Sequence, residues 1–194
     1  MAKYAMIYDA QKCIGCQACT IACRSENDVP DGLFRLQVKI KGPFGTGSNL
    51  HFKFERHSCE MCENTPCVSV CPTKASFMDE YGIVDIDKDK CVGCLYCVAA
   101  CPYKARFVNP ISKTPDKCNF CKHTHLKTAG EPACVSVCPT DALVFGDLQQ
   151  ENGAVRKILA TRPHFTRKSN LGTKPKLFVL PGRKGSIDDI GGVL

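Results

Sequence analysis

The chain has 194 residues, enough for one domain or two small ones, with a formal charge of +7 and sixteen cysteines but no tryptophan. Hydrophobic content of 44% counts those cysteines, so the conventional apolar core is thin. A disulfide framework, which belongs to short secreted domains, is a poor account of cysteines that divide into four fours with none left over. No stretch approaches 18 consecutive apolar residues, which argues against a direct membrane span, and the start MAKYAMIYDAQKC has neither an export segment nor a twin arginine.

Residues 4–9 read as a short strand that delivers the first quartet, Cys13, Cys16, Cys19 and Cys23. Its last two cysteines are four residues apart, so one helical turn carries both on one face. Cys23 is followed by Arg24, whereas the fourth cysteine of every other quartet is followed by proline. Gly15, and Gly93 in the third quartet, lie between the first two cysteines, where the absence of a Cβ suits a close backbone approach or a turn. Residues 34–40 (FRLQVKI) and 50–57 (LHFKFERH) alternate and flank GPFGTGSN, predicting two antiparallel strands. His51 and His57 fall in this stretch, but every quartet is complete without them, so they read as surface or strand residues.

The second quartet is Cys59, Cys62, Cys67 and Cys71. After Pro72 the pattern predicts strand, turn at Glu80–Gly82, and strand, leading into the third quartet, Cys91, Cys94, Cys97 and Cys101. A strand in ARFVN follows. The fourth quartet, Cys118, Cys121, Cys134 and Cys138, holds the charged insertion KHTHLKTAGEPA, a docking surface or a solvated loop. Beyond Gly146 there are no cysteines; DLQQENGAVRKILA predicts a short helix, and residues 152–187 hold nine Lys/Arg and no acid. KLFVL, between Pro175 and Pro181, is apolar enough to pack on a partner or on the chain's own core.

Residues 91–102 fit C-x2-C-x2-C-x3-C-P, the run in which three cysteines hold one [4Fe–4S] cluster and the fourth reaches a second cluster. The other quartets are variants of it. Zinc also uses C-x2-C pairs, but as two separated knuckles or with histidines. Four clusters at about −2 each would offset the positive charge almost completely, so the basic residues compensate clusters and meet a protein partner, with no nucleic acid required. There is no nucleophile with a base, no phosphate loop and no flavin or nicotinamide fingerprint, so the chain carries electrons and is not an enzyme by itself. Glu60 and Glu63 are expected to lower a nearby potential, and Lys122 and His123 to raise one. Residues 13–23 match 91–101, and 67–77 match 134–145, a duplicated pair of quartets. Duplication leaves open which quartets share clusters; pairing of the strand before the first quartet with LVF after the fourth would nest the middle two inside the outer two.

The quartets, their order, the segments CIGCQACTIACRSEN, CENTPCVSVCPTKAS, CVGCLYCVAACPYKARFVNP, PDKCNFC and PACVSVCPTDALVFGDL, and LGTKPKLFVL resemble the four-cluster subunit of complex iron–sulfur molybdoenzymes, in its polysulfide and thiosulfate reductase branch. The resemblance covers nearly the whole chain. It implies an α+β fold of two ferredoxin-like modules with short antiparallel hairpins: an outer one of residues 1–58 plus 103–148, an inserted one of 59–102, and a basic extension of 149–194. It implies four [4Fe–4S] clusters, held by Cys13, Cys16, Cys19 with Cys138; Cys118, Cys121, Cys134 with Cys23; Cys59, Cys62, Cys67 with Cys101; and Cys91, Cys94, Cys97 with Cys71. In nitrate-reductase relatives a replaced ligand leaves a three-iron cluster, whereas here every position is cysteine.

The partners implied are a molybdopterin catalytic subunit and a quinol-oxidising integral membrane anchor. Formate dehydrogenase and some hydrogenase relatives carry a C-terminal membrane helix that this tail cannot make, and relatives in nitrite-reducing systems tend to carry their own signal. Dimethyl sulfoxide, tetrathionate and arsenate reductases, and a stand-alone multi-cluster ferredoxin, are the alternative readings. Without a signal the chain alone reads as cytoplasmic; the resemblance implies the periplasmic face of the bacterial inner membrane, reached as a passenger of the catalytic subunit.

Overall fold

A computed structural model describes residues 2–182. In chain order they form β1 (Tyr4–Asp9), α1 (Ala18–Glu26), β2 (Leu36–Phe44), β3 (His51–Ser58), α2 (Pro66–Ser69), β4 (Ser76–Met78), β5 (Val84–Ile86), α3 (Tyr96–Ala99), β6 (Phe107–Val108), β7 (Pro115–Asp116), α4 (His125–Ala129), α5 (Ala133–Ser136), β8 (Leu143–Asp147), α6 (Ala154–Thr161) and β9 (Leu177–Leu180). The mixture of short helices and small sheets is α+β, as expected.

β1 is the middle strand of the largest sheet. β8 pairs with it antiparallel, from Tyr4 opposite Asp147 to Tyr8 opposite Leu143, and β9 pairs with it in parallel, from Met6 opposite Leu177 to Asp9 opposite Leu180. The run YAMIY is apolar at successive positions because both faces are covered. Ala5 and Ile7 pack with Val155 of α6 and with Leu180, while Met6 and Tyr8 face a larger core that includes Cys23, Cys59, Cys118, Cys134, Met61 and Phe120. The predicted pairing of the first strand with LVF is present, and KLFVL packs on the chain's own core. Residues 183–194, the end of the basic extension, lie outside the described residues.

The remaining sheets are two-stranded: β2 with β3, β4 with β5, and β6 with β7, all antiparallel. The first two are the hairpins expected from alternation. Helices α2, α3 and α5 last four residues each, with Cys-Pro following shortly after. α1 runs nine residues and passes Cys23 to reach Glu26. The missing proline explains the difference, since proline after the fourth cysteine stops the helix and Arg24 does not. The insertion in the fourth quartet holds a short helix, α4.

Candidate iron–sulfur sites

The third residue of each C-x2-C loop has a left-handed backbone: Gly15 at φ 70°, Met61 at 47°, Gly93 at 68° and Phe120 at 58°. That bend turns the chain so that both flanking thiols face the same side. Met61 and Phe120 adopt it with side chains, so glycine is not required by the loop itself. At Gly15 a Cβ would also strike the Phe54 ring.

Three hollows open next to cysteines, with about 370, 350 and 320 Å³ of empty space counting the part open to solvent. Cys13, Cys16, Cys19 and Cys138 line the first; Cys59, Cys62, Cys67 and Cys101 the second; Cys71, Cys91, Cys94 and Cys97 the third. Around Cys23 the neighbouring charges come from Cys118, Cys134 and Cys121, all buried. We refer to these as the Cys13, Cys59, Cys91 and Cys118 sites. In each, three cysteines of one quartet meet the fourth of another. Neither His51, whose ring shares a hydrogen bond with the Asn49 carbonyl, nor His57, beside Glu55, joins a site.

All sixteen cysteines are free thiols. Among the described residues no three His, Cys, Asp or Glu side chains converge closely enough to hold a single ion. Four thiols spread around a cavity fit a multi-atom cluster better than one zinc, which draws its ligands to about 2.3 Å. Burial pushes the Cys62 and Cys134 thiols up to about 12. Such thiols deprotonate when a cation replaces the proton, which couples iron binding to proton release and to folding. At the site rims the backbone helps: Ser76 N–H donates to Cys71 Sγ and Ala142 N–H to Cys138 Sγ, each at 3.3 Å. Burial opposes ionisation of Cys71, but the Ser76 N–H, with Thr73 and the Ala75 N–H, holds its thiol below the ordinary value. Asn27 Nδ2 reaches Cys121 Sγ at 3.6 Å while donating to the Cys23 carbonyl at 2.9 Å, tying the first quartet to the fourth.

The sites form a file. Cys19 lies near enough for its thiolate to act on Cys134, joining the Cys13 and Cys118 sites; Cys59 stands likewise to Cys118, joining the Cys118 and Cys59 sites; and Cys67 to Cys97, joining the Cys59 and Cys91 sites. The end sites are open to solvent, with Cys16 and Cys94 exposed, whereas Cys23, Cys118, Cys121 and Cys134 are all buried.

Three of the four expected tuning charges are engaged elsewhere. Lys122 Nζ pairs with Asp79 at 2.6 Å and His123 Nε2 with Asp85 at 2.8 Å, so they clasp the β4–β5 hairpin. Glu63 pairs with Lys3. Glu60 is fully buried beside Cys59; burial raises its carboxyl to about 7 although Arg167 stands 3.3 Å away. Sequence reasoning missed cations near thiols: Arg56, Arg106 and Lys176 are buried, and Arg35 is half-buried. Arg56 continues the Phe52 and Phe54 phase of an alternating strand, and a cation in the apolar phase was the signal available.

Two models of the 4Fe-4S dicluster domain match the chain, one over residues 12–75 and one over residues 50–148. The chain is 59% identical to the B subunit of polysulfide reductase from Wolinella succinogenes over 187 residues, covering 96% of this chain and 98% of that one. It is 58% identical to the thiosulfate reductase electron transfer subunit PhsB of Salmonella typhi over 76% of this chain and 78% of that one. It is 48% identical to protein NrfC of Escherichia coli K12 over 95% of this chain and 83% of that one.

Proposed function

The chain belongs to the 4Fe-4S dicluster family, and on that premise we propose that it passes electrons from a quinol-oxidising membrane anchor, through four [4Fe–4S] clusters, to a molybdopterin subunit that reduces polysulfide or thiosulfate. It is an electron-transfer subunit of a reductase complex and not the catalytic enzyme itself. When bound, the clusters supply one-electron reduction and reoxidation. The observation that carries the reading is the file of four cysteine sites, with the Cys118 site wholly buried inside it and an exposed cysteine at each end.

The protein's own work is to hold, space and insulate. The Cys13 and Cys118 sites form the outer module, supported by the β1–β8 pairing and by the packing of α1 against α5; the Cys59 and Cys91 sites form the inserted module, supported by the packing of α2 against α3. Each fourth cysteine serves the other site of its module. Exposed Ile14 lines the Cys13 site and exposed Val92 the Cys91 site, and exposed Ile21 on α1 and Tyr96 on α3 fall within the same two quartets. Two apolar ends fit one catalytic partner and one anchor. Among the described residues no helix is long and apolar enough to cross a membrane.

The test is deletion of this chain from the assembled complex. Reduction of the sulfur substrate with an artificial low-potential dye should persist in the catalytic subunit, while quinol-driven reduction should stop. Quinol-driven activity without this chain would refute the relay, and a chain that purifies alone, free of molybdenum, would favour a stand-alone ferredoxin. Location belongs to the same proposal: clusters are inserted in the reducing cytoplasm, because free thiols in an oxidising compartment form disulfides first. The folded chain then crosses with the catalytic subunit to the periplasmic face. In intact spheroplasts, external protease should cut it; protection until lysis, with the complex assembled, would place it inside.

A further inference from the structure

Arg56, on β3, is fully buried and lines the Cys13 cavity. One guanidinium nitrogen, Nη1, donates to Ser58 Oγ at 2.5 Å, while Nε and Nη2 have no partner. Arg106, just before β6, is 5% exposed and lines the Cys59 cavity. Its Nη2 donates to Ser76 Oγ at 2.7 Å, the guanidinium also hydrogen-bonds the Cys67 and Cys97 thiols, and Nη1 has no partner. Each is therefore held by a serine hydroxyl and keeps at least one buried guanidinium nitrogen unused. An unpartnered charged donor in the interior costs several kcal/mol unless something accepts from it.

What lies around them is sulfur. The charges near Arg56 are those of Cys134, Cys118, Cys19 and Glu60; near Arg106 they are Cys67, Cys97 and Cys59. Glu60 is already engaged by Arg167. Each arginine thus stands at the junction of the two sites in its module. The correspondence extends to the ligands, because Cys19 and Cys97 occupy matching places in the internal repeat, as do Cys134 and Cys67. The arginines do not correspond. Counting from the fourth cysteine, the residue matching Arg106 in the first quartet is Asp28, and Arg56 comes from the second strand of the β2–β3 hairpin, whereas Arg106 stands just before the first strand of the β6–β7 hairpin. The same charge at the same place has been supplied from two unrelated backbone positions. Arg35, near Cys23, differs: Asp116 neutralises it at 2.8 Å.

We propose that Arg56 and Arg106 are the internal countercharges of the two cluster pairs, each offering its unpartnered N–H groups to sulfur at the junction and raising the reduction potential of both clusters in its own module. A reduced cluster is one charge more negative, so a fixed cation and its hydrogen bonds favour it. The inference rests on the cluster reading but on no particular partner or substrate.

The test is a dye-mediated redox titration of the anaerobically purified full-length chain in its complex, followed by electron paramagnetic resonance. Arg56→Met should weaken the electron affinity of the Cys13 and Cys118 clusters about tenfold or more, which is about 59 mV for one electron, with the other two unchanged. Arg106→Met should do the converse, and Arg56→Lys should retain most of the potential. Iron-replete Arg56→Met with unchanged potentials, or with all four shifted alike, overturns the inference. If the Met variants lose their clusters, iron content of the Lys variants decides: restoration supports a countercharge, and loss in Lys as well overturns it. A wild-type chain without iron would sink the cluster reading itself, whereas an iron-replete wild type with insensitive potentials sinks only this inference.

Discussion

Gly15 and Gly93 occupy the same place in matching loops, at φ 70° and 68°, yet their surroundings predict different outcomes for the same substitution. A Cβ in left-handed backbone costs about 1–2 kcal/mol, and Gly93→Ala incurs little else, because the added carbon would meet only the Lys113 carbonyl at 3.4 Å, an ordinary contact. At Gly15 the carbon would land 2.5 Å from Cδ1 and 3.1 Å from Cζ of Phe54, so the ring must swing on β3. Overpacking of that kind adds about 1–3 kcal/mol. Iron–sulfur proteins lose their clusters irreversibly, so the comparison is of rates. Under anaerobic chelator the visible cluster absorbance of Gly15→Ala should bleach about 5–150 times faster than that of Gly93→Ala, if the loop is displaced before iron leaves. Phe54→Leu in the Gly15→Ala background should recover much of the excess, and it leaves intact the Phe54 carbonyl that accepts the Tyr8 hydroxyl. Equal rates, or a faster Gly93→Ala, would refute the argument from close approach.

Cys71→Ser should perturb the cluster held by Cys91, Cys94 and Cys97, and Cys23→Ser the one held by Cys118, Cys121 and Cys134; resonance spectra linking Cys71 to the first quartet would overturn the crossed assignment. Lys122→Met leaves Asp79 mostly buried without its cation and should lower stability by about 1–3 kcal/mol, between the values for exposed and buried pairs; an unchanged denaturant midpoint would mean that the clasp contributes nothing. The intact chain should hold roughly sixteen iron and sixteen sulfide, and complete chelation should abolish its cooperative fold; iron near eight, or a chain that stays folded without metal, would contradict the dependence of the core on clusters.

Short-range pattern carried most of the fold. Alternation in FRLQVKI and LHFKFERH became β2 and β3, and the turn at Glu80–Gly82 became the β4–β5 connection, because strand period and turn chemistry are local properties. Cysteine spacing grouped the thiols for the same reason: three of the four that line each cavity come from one quartet. What the sequence did not reveal depended on long-range burial. KLFVL becomes a strand only because β1 presents a free parallel edge, from a part of the chain some 170 residues earlier. Lys122 and His123 look like cluster-tuning charges beside Cys121, but their direction is set by Asp79 and Asp85 on a distant hairpin. Arg106 sits in a polar-looking stretch, and no periodicity marks a cation that is buried because its neighbours are thiols.

The loop residue that precedes the second cysteine also separates the ends of the relay from its middle. All four loops share the left-handed bend, but two carry glycine and two carry a large apolar side chain. Met61 and Phe120 are fully buried and belong to one apolar cluster with Cys59 and Cys118, the pair through which the middle sites approach each other. There the side chain fills the space between modules and excludes water, at the cost of a strained backbone. Gly15 and Gly93 stand in the loops whose second cysteines, Cys16 and Cys94, are exposed. A side chain there would run into the Phe54 ring at Gly15 and meet the Lys113 carbonyl at Gly93, whereas glycine keeps the loop thin and lets a second protein surface reach the thiols. In the proposed arrangement each module therefore pairs one glycine loop with one bulky loop, the bulky loops meet inside, and the glycine loops face outward, where the catalytic subunit and the anchor dock.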